Sequence, residues 1–284
     1  QRGGGGGNRG MQNPPNGAVI RYFLAEEPHE DAEVTLAFTD ARGQEVRTFS
    51  RKPEREGDRR VPVDEGMNEF VWNLTYPGLE TPPKVLNYMG YNGGPTVVPG
   101  NYQVTLTVGD WSQTQPLTIR KDPRLGHVSN AQLQEQRDLG FQIRGKMEEG
   151  YKAIETIQSV REQAKVVAER AEKGGFGDDL KTLADSLGAR LGTIEVELYQ
   201  TKAESGQDMI NFPPQLVNQF GWVYGMLAPA YGPPTAQERE RFEELSGELA
   251  DLLGGHQAIL DTDLAAFNEK VKELGVGPVV LPKR

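Results

Sequence analysis

The chain has 284 residues, of which 41 are acidic and 31 basic, so its net charge is −10. This length is enough for two domains of about 100–200 residues each, and the excess of acid argues against a nucleic-acid backbone as the main partner. The absence of cysteine excludes thiol nucleophiles, disulfides and thiolate metal sites. No apolar run reaches the roughly 20 residues that span a bilayer.

The first twelve residues are rich in glycine and show neither a strand nor a helix pattern. Such a composition is typical of a flexible linker, which we predict for residues 1–12. The chain begins with Gln1 and no apolar leader follows it. We therefore expect that a signal peptide or an upstream domain preceded this segment.

Residues 13–122 alternate between apolar and polar side chains, as in Val34, Leu36 and Phe38 on one face of a strand. Turn signals containing glycine, aspartate or proline separate the alternating stretches. Short strands without helices predict an antiparallel β-sandwich of immunoglobulin or fibronectin type. The predicted strands are 18–24, 33–39, 45–50, 68–74, 102–108 and 113–120.

One long connection, residues 77–99, interrupts this rhythm with five prolines and four glycines. Loops of this length in a compact domain are often functional. Tyr88, Met89 and Tyr91 are our candidates for contacting a protein partner, since tyrosine and methionine suit interfaces. We expect alanine at Tyr88 and Tyr91 to weaken binding with little loss of stability. The alternative is a loop that folds over an open end of the sandwich or over the neighbouring domain.

Residues 123–275 change to a helical period and predict an antiparallel four-helix bundle with long first and last helices. Ser129 with Gln132, and Thr235 with Glu238, have the spacing of capping boxes that begin helices. The predicted helices are 130–172, 178–203, a short one after Phe212-Pro213-Pro214 up to 227, and 236–271; residues 276–284 are predicted to be a tail.

No pattern of catalytic, cofactor-binding or metal-binding residues stands out. The paired carboxylates, such as Glu148 and Glu149, are neighbours on predicted helices and do not share a face. His29, His127 and His256 are too scattered for a metal centre, and His256 falls in an apolar stripe that predicts a hydrogen-bonded core residue. We therefore predict a protein that is not an enzyme and holds no cofactor or metal.

The connection from Glu197 to Pro213 concentrates polar side chains between two predicted helices. A catalytic loop is conceivable there. The interpretation we favour is structural, with asparagine, glutamine and aspartate side chains bonding the exposed helix ends.

Five stretches of the chain together carry a family resemblance: 13–20, 70–78, 99–108, 116–124 and 198–213. They resemble the C-terminal region of large secreted bacterial proteins of the sortilin-like (VPS10-type) or BNR-repeat "glycosyl hydrolase" family. The resemblance covers most of residues 13–270. It implies a β-propeller upstream of this region in the family, to which any hydrolase activity belongs, so no catalytic residue carries over.

These observations predict an α+β protein of two domains that binds or scaffolds partners outside the cytoplasm. We expect an accessory subunit of a larger periplasmic or extracellular assembly, for example one docked on a membrane complex of respiration or photosynthesis. The alternative is an ancillary C-terminal module of a secreted carbohydrate-active β-propeller enzyme. In either case we expect a protein partner, no nucleic acid and no transmembrane segment in this chain.

Overall fold

A computed structural model of the chain contains antiparallel sheets and helices, which confirms the α+β class. The linker predicted for residues 1–12 lies outside the part of the chain that the structure describes. The described residues are 15–55, 57–175, 177–275, 277 and 279–282.

The chain divides into two compact units. The sheet unit comprises the described residues up to Pro77 together with Thr96–Leu125. The helical unit comprises Gly78–Pro95 and the residues from Gly126 onward. The predicted sheet domain 13–122 included Gly78–Pro95, which the structure groups with the helices instead. We call Gly78–Pro95 the strap.

The strands of the sheet unit form two antiparallel sheets, in which β1 pairs with β4 and the order of the other sheet is β3-β2-β5-β6. Their bounds lie within two residues of the predicted ones. The six strands found in the described residues are β1 (Ala18–Leu24), β2 (Val34–Asp40), β3 (Glu45–Ser50), β4 (Gly66–Trp72), β5 (Gly100–Val108) and β6 (Trp111–Ile119).

One core lies between the two sheets. Val34, Leu36 and Phe38 of β2 are all buried, as their alternation predicts. The Phe38 ring stacks on the buried Trp72 ring of β4, with their centroids 4.2 Å apart. Residues of both sheets belong to this one buried cluster, so the two sheets share a core.

Three long helices and two shorter ones are found among the described residues of the helical unit. A π-helical turn at Leu260–Leu264 joins the last two, so the predicted helix 236–271 is one helix with an irregular turn. The predicted second helix, 178–203, ends early, at Leu198. The helices are α1 (Asn130–Lys173), α2 (Gly177–Leu198), α3 (Leu216–Leu227), α4 (Ala236–Ile259) and α5 (Ala265–Glu273).

Both predicted capping boxes are present. The Gln132 N–H donates to Ser129 Oγ at 3.1 Å, and the Ser129 N–H donates to Gln132 Oε1 at 2.9 Å. Thr235 and Glu238 make the same reciprocal pair at the start of α4. Each box satisfies backbone N–H groups that the first turn of a helix leaves unpaired.

Part of the predicted tail 276–284 is packed against the helices. The Asn268 side chain donates to the Val279 carbonyl at 3.0 Å and accepts from the Val279 N–H at 2.9 Å. Gln163 holds both backbone groups of Val280 in the same way. The Val279 side chain is consequently buried in the core of the helical unit.

His256 of α4 is buried, as the apolar stripe predicted, but its Nε2 atom has no hydrogen-bond partner within the described part of the chain. Burial lowers the pKa of His256, because the charged imidazolium loses its hydration. The folded protein therefore holds this histidine neutral at a pH where an exposed histidine takes up a proton.

We predict that the free energy of unfolding falls as the pH drops from 7 to 5. In this range the unfolded state binds a proton at residue 256 that the folded state resists, at a cost of at most about 1.4 kcal/mol per pH unit. Urea unfolding of the His256→Gln variant should show a weaker dependence on pH. The exposed His127, changed to Gln, is the control, and equal pH dependence of both variants would contradict the prediction.

Candidate functional site

The strap runs along α3, and hydrogen bonds from α3 to the backbone of the strap fix it there. The Asn218 side chain accepts from the Tyr88 N–H at 2.6 Å and donates to the Tyr88 carbonyl at 2.9 Å. Trp222 Nε1 donates to the same carbonyl at 2.8 Å, and the Tyr91 N–H donates to the Gly221 carbonyl at 2.9 Å. The strap, although irregular, is thus bound to α3 through backbone groups of Tyr88 and Tyr91.

Two glycines allow the strap backbone to come this close to α3. A Cβ atom at Gly90 would lie 2.0 Å from Asn87 Oδ1, and one at Gly221 would lie 3.3 Å from the Gly90 Cα. The helix and the strap therefore meet backbone to backbone. This contact explains why the strap groups with the helices and not with the sheets.

Tyr91, one of the predicted partner contacts, packs into the helical unit. Its ring meets the buried Tyr224 ring edge to face, with a centroid distance of 4.7 Å. Burial is the main cause that raises the pKa of Tyr224, and the nearby Tyr91 raises it further. The expectation that alanine at residue 91 leaves stability nearly unchanged has to be revised, because the substitution would remove this contact.

Met89 lies at the surface, and the half-buried Tyr88 precedes it; both are beside exposed residues of α3. Met89 is 79% exposed and has a left-handed backbone with φ of 51°. Trp222 and Met226 are one turn apart on α3 and are 38% and 61% exposed. We call Tyr88, Met89, Trp222 and Met226 the docking patch.

Sequence reasoning found Tyr88 and Met89 but missed Trp222 and Met226. The sequence of α3 is apolar on nearly every face, so its periodicity does not tell exposed from buried positions. The spacing of Trp222 and Met226 indicates an exposed stripe only when the strap is known to cover the neighbouring face of α3, which carries Asn218 and Gly221.

A second candidate is an open groove of about 1020 Å³ between α1 and α2. At one end of it, the Glu195 carboxylate is buried and forms an ion pair with Arg161. Tyr199 OH donates to Glu195 Oε1 at 3.1 Å, and Gln158 Nε2 lies 3.4 Å from the same oxygen. Burial is the main cause that raises the pKa of Tyr199, and the negative charge of Glu195 raises it further.

This network has the form of a structural contact. Arg161 and Gln158 belong to α1, and Glu195 belongs to α2, so their bonds join the two helices. Arg161, Gln158 and Tyr199 all donate hydrogen bonds to the buried carboxylate, and Gln158 also donates to the Tyr199 hydroxyl. Glu195 lies among the residues that line the groove, but its buried carboxylate is already engaged by Arg161, Tyr199 and Gln158.

The polar connection from Glu197 to Pro213 has the structural role we favoured. Asp208 Oδ2 accepts the N–H groups of Glu204 and Ser205, each at 2.8 Å, and these bonds lower the pKa of Asp208. Gln200 donates to the Pro213 carbonyl at 2.9 Å. The side chains thus close turns at the helix ends.

Comparisons with models of protein families, with curated proteins and with solved structures gave no match to this chain. In the described residues, no group of three or more histidine, aspartate or glutamate side chains is placed to hold a metal ion. None of the described helices combines the length and the apolar character needed to cross a membrane.

We predict that Asn218→Ala lowers the free energy of unfolding by about 2–3 kcal/mol, because both backbone groups of the half-buried Tyr88 lose the bonds that the buried Asn218 amide makes to them. Urea unfolding measures the loss, and hydrogen exchange at the Tyr88 amide should become faster. The exposed Asn211, changed to Ala, serves as control. A change below about 0.5 kcal/mol would show that the strap does not depend on this clamp.

We predict that Arg161→Met costs about 3 kcal/mol, because it leaves the Glu195 carboxylate buried without its counter-charge. Adding Glu195→Gln to that variant should recover part of the loss, which urea unfolding in a double-mutant cycle would measure. The exposed pair of Lys152 and Glu148 is the control, and Lys152→Met should cost less than about 1 kcal/mol. If Arg161→Met and Lys152→Met lowered the free energy of unfolding by the same amount, the structural role of the network would be refuted.

Proposed function

We propose that this chain is a non-enzymatic binding protein, an accessory subunit that contacts a protein partner through the docking patch. The observation that carries the proposal is that Met89, Trp222 and Met226 are exposed beside a strap whose backbone is fixed to α3. Aromatic residues and methionine are enriched at protein interfaces, where a few such side chains supply most of the binding energy.

The rigidity of the patch supports this proposal. Binding costs conformational entropy for every segment that has to be ordered. The bonds from Asn218 and Trp222 to Tyr88 order the strap before any partner arrives. The left-handed backbone of Met89 directs an apolar side chain outward at a conformation that most residues avoid. Both features are expected of a preorganised contact surface.

The finer features of the proposal rest on the sequence. We take the two sheets to be an immunoglobulin-like sandwich and the helices to be an antiparallel bundle. The extracytoplasmic setting, and the alternative of an ancillary module of a carbohydrate-active propeller enzyme, rest on the family resemblance alone. The docking patch serves equally in both settings, because it needs only a protein surface opposite it.

The test is site-specific photo-crosslinking of the full chain in an extract of its native cells. A photoreactive residue at Met226 should form a crosslink to a partner, whereas the same residue at Met67 of the sheet unit, which is 69% exposed, should not. Adding Met89→Glu should reduce the yield about tenfold without changing the melting temperature, since Met89 is exposed. Equal yields at 226 and 67 would refute the proposal.

A further inference from the structure

The docking patch continues along α3 to two half-buried glutamines, Gln219 and the N-cap residue Gln215. Gln215, Gln219, Trp222 and Met226 have the spacing of one helical stripe, which extends about 16 Å along the axis at 1.5 Å per residue. Trp222 and Met226 form its apolar end. Gln215 and Gln219 form its polar end and line a small open pit of about 290 Å³.

The pit is acidic. Glu197 of α2 and both Glu248 and Asp251 of α4 line it, together with the two glutamines. We call the pit lined by Glu197, Glu248 and Asp251 the acidic pit. Carboxylates from two different helices are thus brought to the end of a stripe on a third.

These carboxylates are only partly neutralised. Arg241 lies 3.7 Å from Glu248, but it pairs more closely with Glu244 at 2.8 Å and donates to Gln219 at 2.6 Å. Within the described residues, no ion pair engages Glu197 or Asp251. The pit therefore keeps a negative potential, which the net charge of the whole chain reinforces.

The walls of the pit suit an organic cation. The half-buried Leu252 lies among its lining residues and offers apolar surface to a methylene stem, while the carboxylates take the charged head. Lysine and arginine side chains combine these two parts. A metal ion is a poorer match, because these carboxylates do not form a cluster placed to hold one.

We infer that the docking patch and the acidic pit form one surface for a cationic protein segment. This inference rests on the proposed function, to which it adds the chemistry of the partner. The segment places an aromatic or aliphatic anchor on Met89, Trp222 and Met226, and a lysine or arginine in the pit, about 10–16 Å away along α3. Charge complementarity selects this occupant over an anionic lipid surface or a second copy of the acidic chain.

The test is selection from a library of random 16-residue peptides displayed on phage, with the full chain as bait. The selected peptides should combine tryptophan, leucine or methionine with lysine or arginine. The variant with Glu197→Gln and Asp251→Asn should lose the preference for basic residues while keeping the apolar one. The variant with Glu155→Gln and Glu162→Gln removes the same charge from exposed positions of α1 and is the control.

The best peptide, measured by fluorescence anisotropy at 50 mM salt, should bind the Glu197→Gln and Asp251→Asn variant about tenfold more weakly than the control variant. Raising the salt to 300 mM should shrink this difference, because salt screens partly exposed charges. Met89→Glu combined with Met226→Glu should abolish binding of every selected peptide.

The outcomes separate the inference from the proposed function. Peptides with apolar anchors but no basic residues would overturn the inference and leave the docking patch standing. Peptides whose binding survives Met89→Glu with Met226→Glu, or a library that yields no peptide, would count against both. A dimer in sedimentation that the same substitutions dissolve would make a second copy the occupant and overturn the inference.

Discussion

The position of the strap on the helical unit depends on one pair of hydrogen bonds, which join the Asn218 side-chain amide to the backbone of Tyr88. The amide meets both backbone groups of Tyr88 from a position that is itself buried. A buried amide without partners would be costly, and so would the unpaired backbone of an irregular segment. The Asn218 amide and the Tyr88 backbone are hydrogen-bond partners for each other, and these bonds hold the strap on α3. Asn268 at Val279 and Gln163 at Val280 use the same geometry for the end of the chain.

Because the strap is held by its backbone, its side chains are free to serve other purposes. Tyr91 turns inward and packs on Tyr224, while Met89 turns outward. Neighbouring residues of the strap thus have opposite roles in the fold, one in the core of the helical unit and one at its surface. In the same unit, the ion pair of Arg161 and Glu195 joins two helices, whereas no ion pair within the described residues engages Glu197 or Asp251.

Local patterns predicted most of the elements. Alternation located the strands to within two residues, since a strand with one buried face has to follow it. Capping boxes located the starts of α1 and α4, because Ser129 and Thr235 bond backbone groups only three residues away. The candidate site was predicted only in part. Tyr88 and Met89 stood out in an unusual loop, whereas Trp222 and Met226 lie in a helix that is apolar on nearly every face.

The sequence by itself determined the α+β class, the alternation of the strands, the helix starts and the burial of His256, because each depends on residues close together in the chain. Only the tertiary structure decided that the strap belongs to the helices, that α3 exposes Trp222 and Met226, and that carboxylates of α2 and α4 meet at its end. These features depend on partners that lie far apart in sequence, such as Asn218 and Tyr88. No local period or spacing encodes such a pairing.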